Sequence, residues 1–123
     1  MAAEDRIVIE DLLVRGVIGL HDWEREVDQD IVISLEIRVD ARLAGLTDDV
    51  KDSLDYKAVA KDVIAYAESS RHYLVEALAA GIARIVVVDH GAERVRVRVE
   101  KPGALRFAKS VGIEIERTAG DFR

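Results

Sequence analysis

The 123-residue chain contains no cysteine and only one proline, Pro102. Without cysteine there is no disulfide framework, no thiol nucleophile and no cysteine metal site. Aromatic residues make up only 5% of the chain, and no apolar run is long enough to span a bilayer. The charged first six residues do not resemble a signal peptide. These absences favour a cytosolic protein with no membrane partner.

Basic residues are fewer than acidic residues in this chain. The chain has 18 Lys and Arg residues against 24 Asp and Glu, for a net charge of -6. Because a nucleic-acid surface needs a basic face, this balance disfavours a nucleic-acid partner. Half of the residues are hydrophobic and 34% are charged, which is typical of a soluble globular protein. We therefore expect a single domain over residues 1–123, with an ordered core over about 5–117.

The most informative segment is an alternating run that ends at Pro102 and Gly103. Its apolar and charged residues alternate with the period of a half-buried strand, with one face formed by Val95, Val97 and Val99. Lys101 continues that valine face. Two interpretations are open: a solvated strand end, or an ammonium in a partly desolvated pocket. Desolvation disfavours the charged form, which would suit Lys101 to proton transfer.

The other segments predict the remaining elements. Strands are indicated at 6–14, 31–39 and 111–116, and a polar loop at 19–29. Helical spacing runs from Tyr56 to Ala67 and again from Leu74 to Val86. Candidate N-caps are Asp52, Ser53 or Asp55 for the first helix and Ser69 or Ser70 for the second. The order ββααββ predicts an α+β fold, a four-stranded antiparallel sheet with two helices on its apolar face.

The opposite face of the predicted sheet carries alternating charges. Its members are Glu36, Arg38, Arg94, Arg96, Arg98, Glu114 and Glu116. Opposite charges on facing strands stabilise a sheet by about 0.2–1 kcal/mol per pair. This face is either an ordinary solvated surface or the interior of a barrel assembled from several chains.

A series of short motifs follows these elements in order. They are Ile-Gly-Leu-His-Asp-Trp-Glu at 18–24, Gln29, Asp-Asp at 48–49, Leu-Asp-Tyr at 54–56, Leu-Val-Glu at 74–76, Lys-Pro-Gly-Ala at 101–104 and Val-Gly-Ile-Glu-Ile-Glu-Arg at 111–117. Their order and spacing resemble the dihydroneopterin aldolase and dihydroneopterin triphosphate epimerase family. The resemblance implies a tunnelling fold (T-fold) whose subunits form a barrel of four. Two barrels would stack into a homo-octamer, with a tetramer as the alternative and active sites between adjacent subunits.

The resemblance also implies three catalytic residues. Lys101 matches a lysine that transfers protons at the pterin ring nitrogen and the side-chain hydroxyls. Glu24 matches a loop carboxylate near the substrate side chain, although the residue alone could be a solvated loop charge. Tyr56 matches a tyrosine that reaches a neighbouring subunit's site, although a tyrosine at helical spacing also fits core packing.

Further residues match substrate-binding positions. Glu76 matches a carboxylate that accepts two hydrogen bonds from the pterin, although a first-turn glutamate is also favoured by the helix dipole. Val75 and Leu54 match positions that supply pocket walls and backbone groups. The loop at 104–111 looks more like the epimerase branch, where Arg106 and Lys109 could bind a triphosphate. They could equally be solvated loop charges.

The reaction implied by the resemblance is a retro-aldol cleavage of dihydroneopterin to hydroxymethyl-dihydropterin and glycolaldehyde. It requires no cofactor, Schiff base or metal, because the ring imine of the substrate accepts the electrons. The three histidines have no metal-ligand spacing. Three alternatives are a dihydroneopterin triphosphate epimerase, a non-catalytic pterin- or purine-binding protein of the same fold, and a purely structural oligomer.

Overall fold

The computed structural model describes residues 4–123. Residues 1–3, which belong to the charged start of the chain, lie outside the described residues. The elements in order are β1 (Asp5–Gly16), β2 (Gln29–Val39), α1 (Arg42–Thr47), α2 (Tyr56–Ser69), α3 (Val75–Arg84), β3 (Arg94–Pro102) and β4 (Ser110–Thr118). Within this part of the chain, no helix has the length and apolar character needed to cross a bilayer.

The four strands form one antiparallel sheet in the order β1-β2-β3-β4. In the two central strands, alternate side chains are fully buried, as the alternating pattern predicted: Ile33, Leu35, Ile37, Val95, Val97 and Val99. Each such burial contributes about 1.5–3 kcal/mol. Helices α2 and α3 cover this face, with α2 over β1 and α3 over β3 and β4. The predicted α+β architecture is confirmed.

The N-termini of the two long helices differ. The side chain of Asp55 accepts a hydrogen bond from the backbone N–H of Ala58 at 3.1 Å, so its predicted role as the cap of α2 is confirmed. The prediction that Ser69 or Ser70 caps the next helix is wrong. Ser70 ends α2 in an extended conformation, and α3 begins only at Val75. A serine so far ahead cannot reach the first free N–H groups of that helix.

Two segments depart from the predicted outline. The segment between β2 and α2, for which the sequence pattern indicated no element, contains α1 and a 3₁₀ turn at Val50–Asp52. The predicted second helix stops at Arg84, and the chain continues through a π-helical turn at Ile85–Asp89. Both are short: apolar spacing alone does not distinguish a one- or two-turn helix from a loop, or a terminal π-helical turn from a continuing α-helix.

Across the charged sheet face, Arg96 lies within ion-pair distance of three carboxylates on neighbouring strands. These are Glu36 at 3.5 Å, Glu114 at 3.6 Å and Glu116 at 3.7 Å. Because the arginine side chain is about half exposed, each pair contributes little to folding stability. The predicted cross-strand pairing of this face is confirmed.

Candidate active site

The centre of the site is an ion pair between Lys101 and Glu24. Lys101 lies near the end of β3 on the valine face, and its Nζ is 2.7 Å from Oε2 of Glu24. The two side chains are only 13% and 7% exposed. Of the two interpretations open from sequence, the structure therefore supports the partly desolvated ammonium. It also excludes the interpretation of Glu24 as a solvated loop charge.

Two further donors hold the Glu24 carboxylate. Gln29 Nε2 donates to Oε2 at 3.1 Å, and the backbone N–H of His21 donates to Oε1 at 3.2 Å. The hydrogen bond from Lys101 is the main reason that the pKa of Glu24 falls to about 2; burial opposes this shift. Glu24 is thus a carboxylate at any physiological pH, with hydrogen bonds to both of its oxygens.

The loop after β1 is shaped to receive this carboxylate. Gly19 has φ of +132°, a backbone conformation that residues with a Cβ rarely adopt. A Cβ at Gly19 would lie 2.2 Å from Cδ of Glu24, so only glycine leaves room. A 3₁₀ turn at Asp22–Arg25 then directs Glu24 inward. Gln29, at the start of β2, also donates to the carbonyl of Ile18 at 2.7 Å, which links the two ends of the loop.

The ion pair borders an open cavity of about 240 Å³. The cavity is lined by Ile18, Gly19, Leu20, His21, Glu24, Tyr73, Leu74, Val75, Glu76, Lys101, Val111 and Gly112. Glu76 is an exposed residue in the first turn of α3, and it supplies a second carboxylate to the cavity. The site therefore combines a buried ammonium–carboxylate pair with an accessible carboxylate. This arrangement suits a ligand that donates hydrogen bonds at one end and exchanges protons at the other.

Four of the eight predicted site residues come together in this cavity: Glu24, Val75, Glu76 and Lys101. They derive from the loop after β1, the start of α3 and the end of β3. Their assembly in one place agrees with the roles that the family resemblance implied, although the roles themselves stay predictions.

The other four lie outside this cavity. Leu54 packs against the hydrophobic core, and Tyr56 begins α2 with 55% of its surface exposed. Arg106 and Lys109 lie exposed in the loop between β3 and β4. One chain alone therefore does not bring Tyr56 to Lys101, and the expectation that it serves a neighbouring subunit's site stays a prediction.

Sequence reasoning missed the residues that support the pair. Gln29 and Gly19 were noted only as members of the motif series. Arg25, which donates a hydrogen bond to the carbonyl of His72, was not singled out. A signal existed for Gly19, because a glycine in a polar loop often marks a close approach. Within residues 4–123, no group of three or more His, Asp or Glu side chains is placed to hold a metal ion.

Solved structures place this chain in a known fold class. It matches a Vibrio cholerae protein assigned as a dihydroneopterin aldolase with a TM-score of 0.92 and 40% identity, over 94% of this chain and 98% of that one. It matches Escherichia coli dihydroneopterin aldolase in complex with neopterin with a TM-score of 0.89 and 38% identity, over 92% and 98%. It also matches a Burkholderia thailandensis dihydroneopterin aldolase bound to guanine, with a TM-score of 0.78 and 25% identity, over 93% of this chain and 90% of that one. The chain is thus an α+β T-fold protein.

Sequence comparison identifies the family. The dihydroneopterin aldolase (FolB) family profile matches residues 7–116. Escherichia coli dihydroneopterin aldolase is 38% identical, over 92% of this chain and 93% of that protein. The Dictyostelium discoideum folic acid synthesis protein is 44% identical over 97% of this chain, which spans only 18% of that longer protein. A Pseudomonas aeruginosa dihydroneopterin triphosphate 2'-epimerase is 34% identical, over 89% of both. The chain belongs to the dihydroneopterin aldolase family.

Proposed function

We propose that this chain cleaves dihydroneopterin by a retro-aldol reaction, releasing hydroxymethyl-dihydropterin and glycolaldehyde. The observation that carries the proposal is the buried pair of Lys101 and Glu24, which borders a cavity that also contains Glu76. A pair of this kind provides a positioned proton donor next to a binding site, as acid–base catalysis requires.

The proposal assigns substrate anchoring to Glu76. The amino group and adjacent ring N–H of a pterin point in parallel and match the two oxygens of a carboxylate. Neopterin and guanine, the ligands of two solved relatives, share this hydrogen-bonding edge. Val75 contributes to the wall beside it. The exposed position of Glu76 at the start of a helix leaves both oxygens accessible to such a ligand.

The proposal gives Lys101 and Glu24 different roles. With a pKa of about 2, Glu24 is a weak base, so its role is to orient the ammonium of Lys101 beside the cavity. Lys101 then donates a proton to the ring nitrogen, through a bound water if the nitrogen is out of direct reach. The hydroxyl on the scissile-bond carbon farther from the ring passes its proton to a water in the cavity, and that carbon becomes the aldehyde carbon of glycolaldehyde.

The electrons of the broken carbon–carbon bond pass into the ring imine, and Lys101 protonates the nitrogen. The resulting enamine takes a proton on carbon from the water that received the hydroxyl proton and returns the proton on nitrogen to Lys101, which gives hydroxymethyl-dihydropterin. No Schiff base on Lys101 is needed, because the substrate itself accepts the electron pair. As an ammonium hydrogen-bonded to Glu24, Nζ has no free electron pair and is not a nucleophile.

A second candidate reaction is epimerisation of dihydroneopterin triphosphate. The observation that favours it is the similarity to an epimerase at 34% identity. The loop that carries Arg106 and Lys109 begins after Pro102, two residues beyond Lys101, and the N–H of Ala104 donates to the carbonyl of Lys101 at 3.4 Å. Neither basic side chain lines the cavity in the single chain, so a triphosphate would have to extend out of it toward this loop.

We also propose that the chains assemble into a barrel of four, with two barrels stacked as an octamer. β1 and β4 are open edges of the sheet, and open edges are usually paired or covered. Both edges carry exposed apolar residues, including Leu13 and Val111, which are 62% and 43% exposed. In such a barrel, Tyr56 and Leu54 would serve the site of a neighbouring chain. A cytoplasmic location stays a prediction.

The test of function is to incubate the pure protein with dihydroneopterin and to measure glycolaldehyde. Lys101→Ala removes the proposed proton donor, and Lys51→Ala is a matched control at an exposed lysine. We expect release of glycolaldehyde by the wild type and by the control, but not by Lys101→Ala. No release by the wild type, or equal release by all three proteins, would refute the proposal.

Two further arms separate the alternatives. To test for epimerase activity, the wild type and Arg106→Ala are incubated with dihydroneopterin triphosphate. Loss of epimerisation, but not of aldolase activity, in the variant would support the epimerase.

Mixing Lys101→Ala subunits with Tyr56→Phe subunits tests whether two chains share one active site. Recovery of activity on mixing would support active sites between chains, while native mass measurement distinguishes an octamer from a tetramer.

A further inference from the structure

Arg25 makes an unusual set of contacts directly after Glu24. Its side chain is half-buried and reaches from the loop after β1 to the connection between α2 and α3. One terminal nitrogen donates to the carbonyls of Gly19 at 3.1 Å and His72 at 3.0 Å, and the other donates to the carbonyl of Arg71. A single guanidinium therefore joins three backbone carbonyls from two separate segments.

Other contacts strengthen the same junction. The guanidinium of Arg25 stacks on the ring of Tyr73, with Cζ 4.0 Å from the ring centroid. Arg71 donates in return to the carbonyl of Arg25 at 2.5 Å, and the N–H of Gly19 donates to the carbonyl of His72 at 3.4 Å. The two segments are thus tied by both side chains and backbone.

Both segments line the cavity. The loop after β1 supplies Glu24, whereas the connection after α2 leads through Tyr73 to Val75 and Glu76 at the start of α3. The distance between the proton-transfer pair and the proposed pterin anchor therefore depends on how the two segments are joined. Arg25 itself is not among the residues that line the cavity.

We propose that Arg25 is a positioning residue that holds the loop carrying Glu24 against the connection leading to Glu76, and so sets the geometry of catalysis without touching the substrate. This inference rests on the proposed function of the same cavity. A lysine cannot replace Arg25, because an ammonium is a compact charge that cannot bridge three carbonyls and stack on a ring simultaneously.

The first test is kinetic. We expect Arg25→Lys and Arg25→Gln to lower kcat/KM for dihydroneopterin about 100-fold, since small misplacements of a catalytic group have effects of that order. In a Glu24→Gln background, Arg25→Lys should cost less than about twofold, because its effect acts through Glu24. Arg42→Lys, at an exposed pair remote from the cavity, is the matched control and should leave activity unchanged.

The second test does not depend on activity. A ¹³C-labelled Glu24 carboxyl in the wild type should keep its chemical shift down to about pH 3, since its pKa is about 2. In Arg25→Lys it should titrate above that pH, because the loop no longer holds the carboxyl against its donors. Arg25→Gln provides a second variant if Arg25→Lys does not fold.

The outcomes separate this inference from the proposed function. If the wild type does not cleave dihydroneopterin, the proposed function fails, and the titration still decides the role of Arg25. If Arg25→Lys has wild-type activity, Arg25 does not position Glu24. The same conclusion follows if Arg25→Lys lowers kcat/KM by the same factor in the Glu24→Gln background as in the wild type. An unchanged Glu24 titration in both folded variants would overturn the inference as well.

Discussion

The replacement Glu24→Gln tests the energetics of the site most directly. It keeps the shape of the side chain but removes its charge, so the ammonium of Lys101 loses its ionic partner. At 2.7 Å, two unit charges attract each other by about 6 kcal/mol in an environment of effective dielectric constant near 20. Desolvation of both groups offsets part of this attraction.

The expected loss of folding stability follows from the exposure of the pair. Removing one partner of a buried pair usually costs about 3–5 kcal/mol. Here the glutamine carbonyl can still accept one hydrogen bond and the cavity admits water, so we expect about 2–3 kcal/mol at pH 7. For a chain of this length, that corresponds to a fall of about 10 °C in Tm, measurable by circular dichroism or calorimetry.

The same variant has a distinctive pH dependence. Because folding lowers the pKa of Glu24 from 4.5 to about 2, the ionised carboxylate stabilises the folded state fully above pH 4.5. That stabilisation is lost as the pH falls from 4.5 toward 2. The difference in Tm between wild type and Glu24→Gln should therefore be largest at neutral pH and should narrow across this interval.

Asp40→Asn is the matched control. The pKa of Asp40 also falls to about 2, mainly through its hydrogen bonds with the Arg42 side chain. The two side chains are 51% and 69% exposed, so solvent screens their interaction and the variant should change Tm far less. Equal effects of the two variants, or a Glu24→Gln difference that does not narrow below pH 4.5, would refute the assignment of a desolvated pair.

Three further predictions concern the cavity. Glu76→Ala should weaken neopterin binding about 10- to 100-fold in a fluorescence titration, because charge-assisted hydrogen bonds to the pterin are lost; unchanged affinity would contradict the anchoring role. Gly19→Ala should displace Glu24 and abolish glycolaldehyde release, whereas Gly45→Ala, whose Cβ would meet nothing within 4 Å, should retain it. Borohydride with substrate should leave Lys101 unmodified by mass spectrometry, and a stable adduct would indicate a Schiff base instead.

The local patterns of the chain predicted its elements well. The alternation in β2 and β3 predicted strands, because alternate side chains of a strand face opposite sides of a sheet. The same parity placed Lys101 on the buried face before any contact was known. Asp55 was among the predicted caps of α2 because the hydrogen bond involved spans only three residues. Each of these signals is local, so the sequence alone determined it.

Two predictions made from local sequence patterns were wrong or incomplete: the N-cap of α3 and the segment that forms α1. Ser70 had the right chemistry for an N-cap, but the irregular residues 71–74 separate it from the start of α3. The helix α1 was missed because its apolar side chains, including Leu46 at 86% exposed, have no buried face within this chain. Where packing does not select a period, the pattern of apolar residues carries little information about the element.

The tertiary structure alone decided the contacts that make the site. Lys101 and Glu24 are 77 residues apart, and no local pattern states that they meet at 2.7 Å. The close approach of Gly19 to Glu24 and the bridge from Arg25 to the α2–α3 connection likewise depend on how loops fold over the sheet edge. The sequence by itself determined which side chains face the core, because that depends on a period of two or of 3.6 residues. Which distant side chains meet depends on the register of the strands and the paths of the loops between them, and only the folded chain sets these.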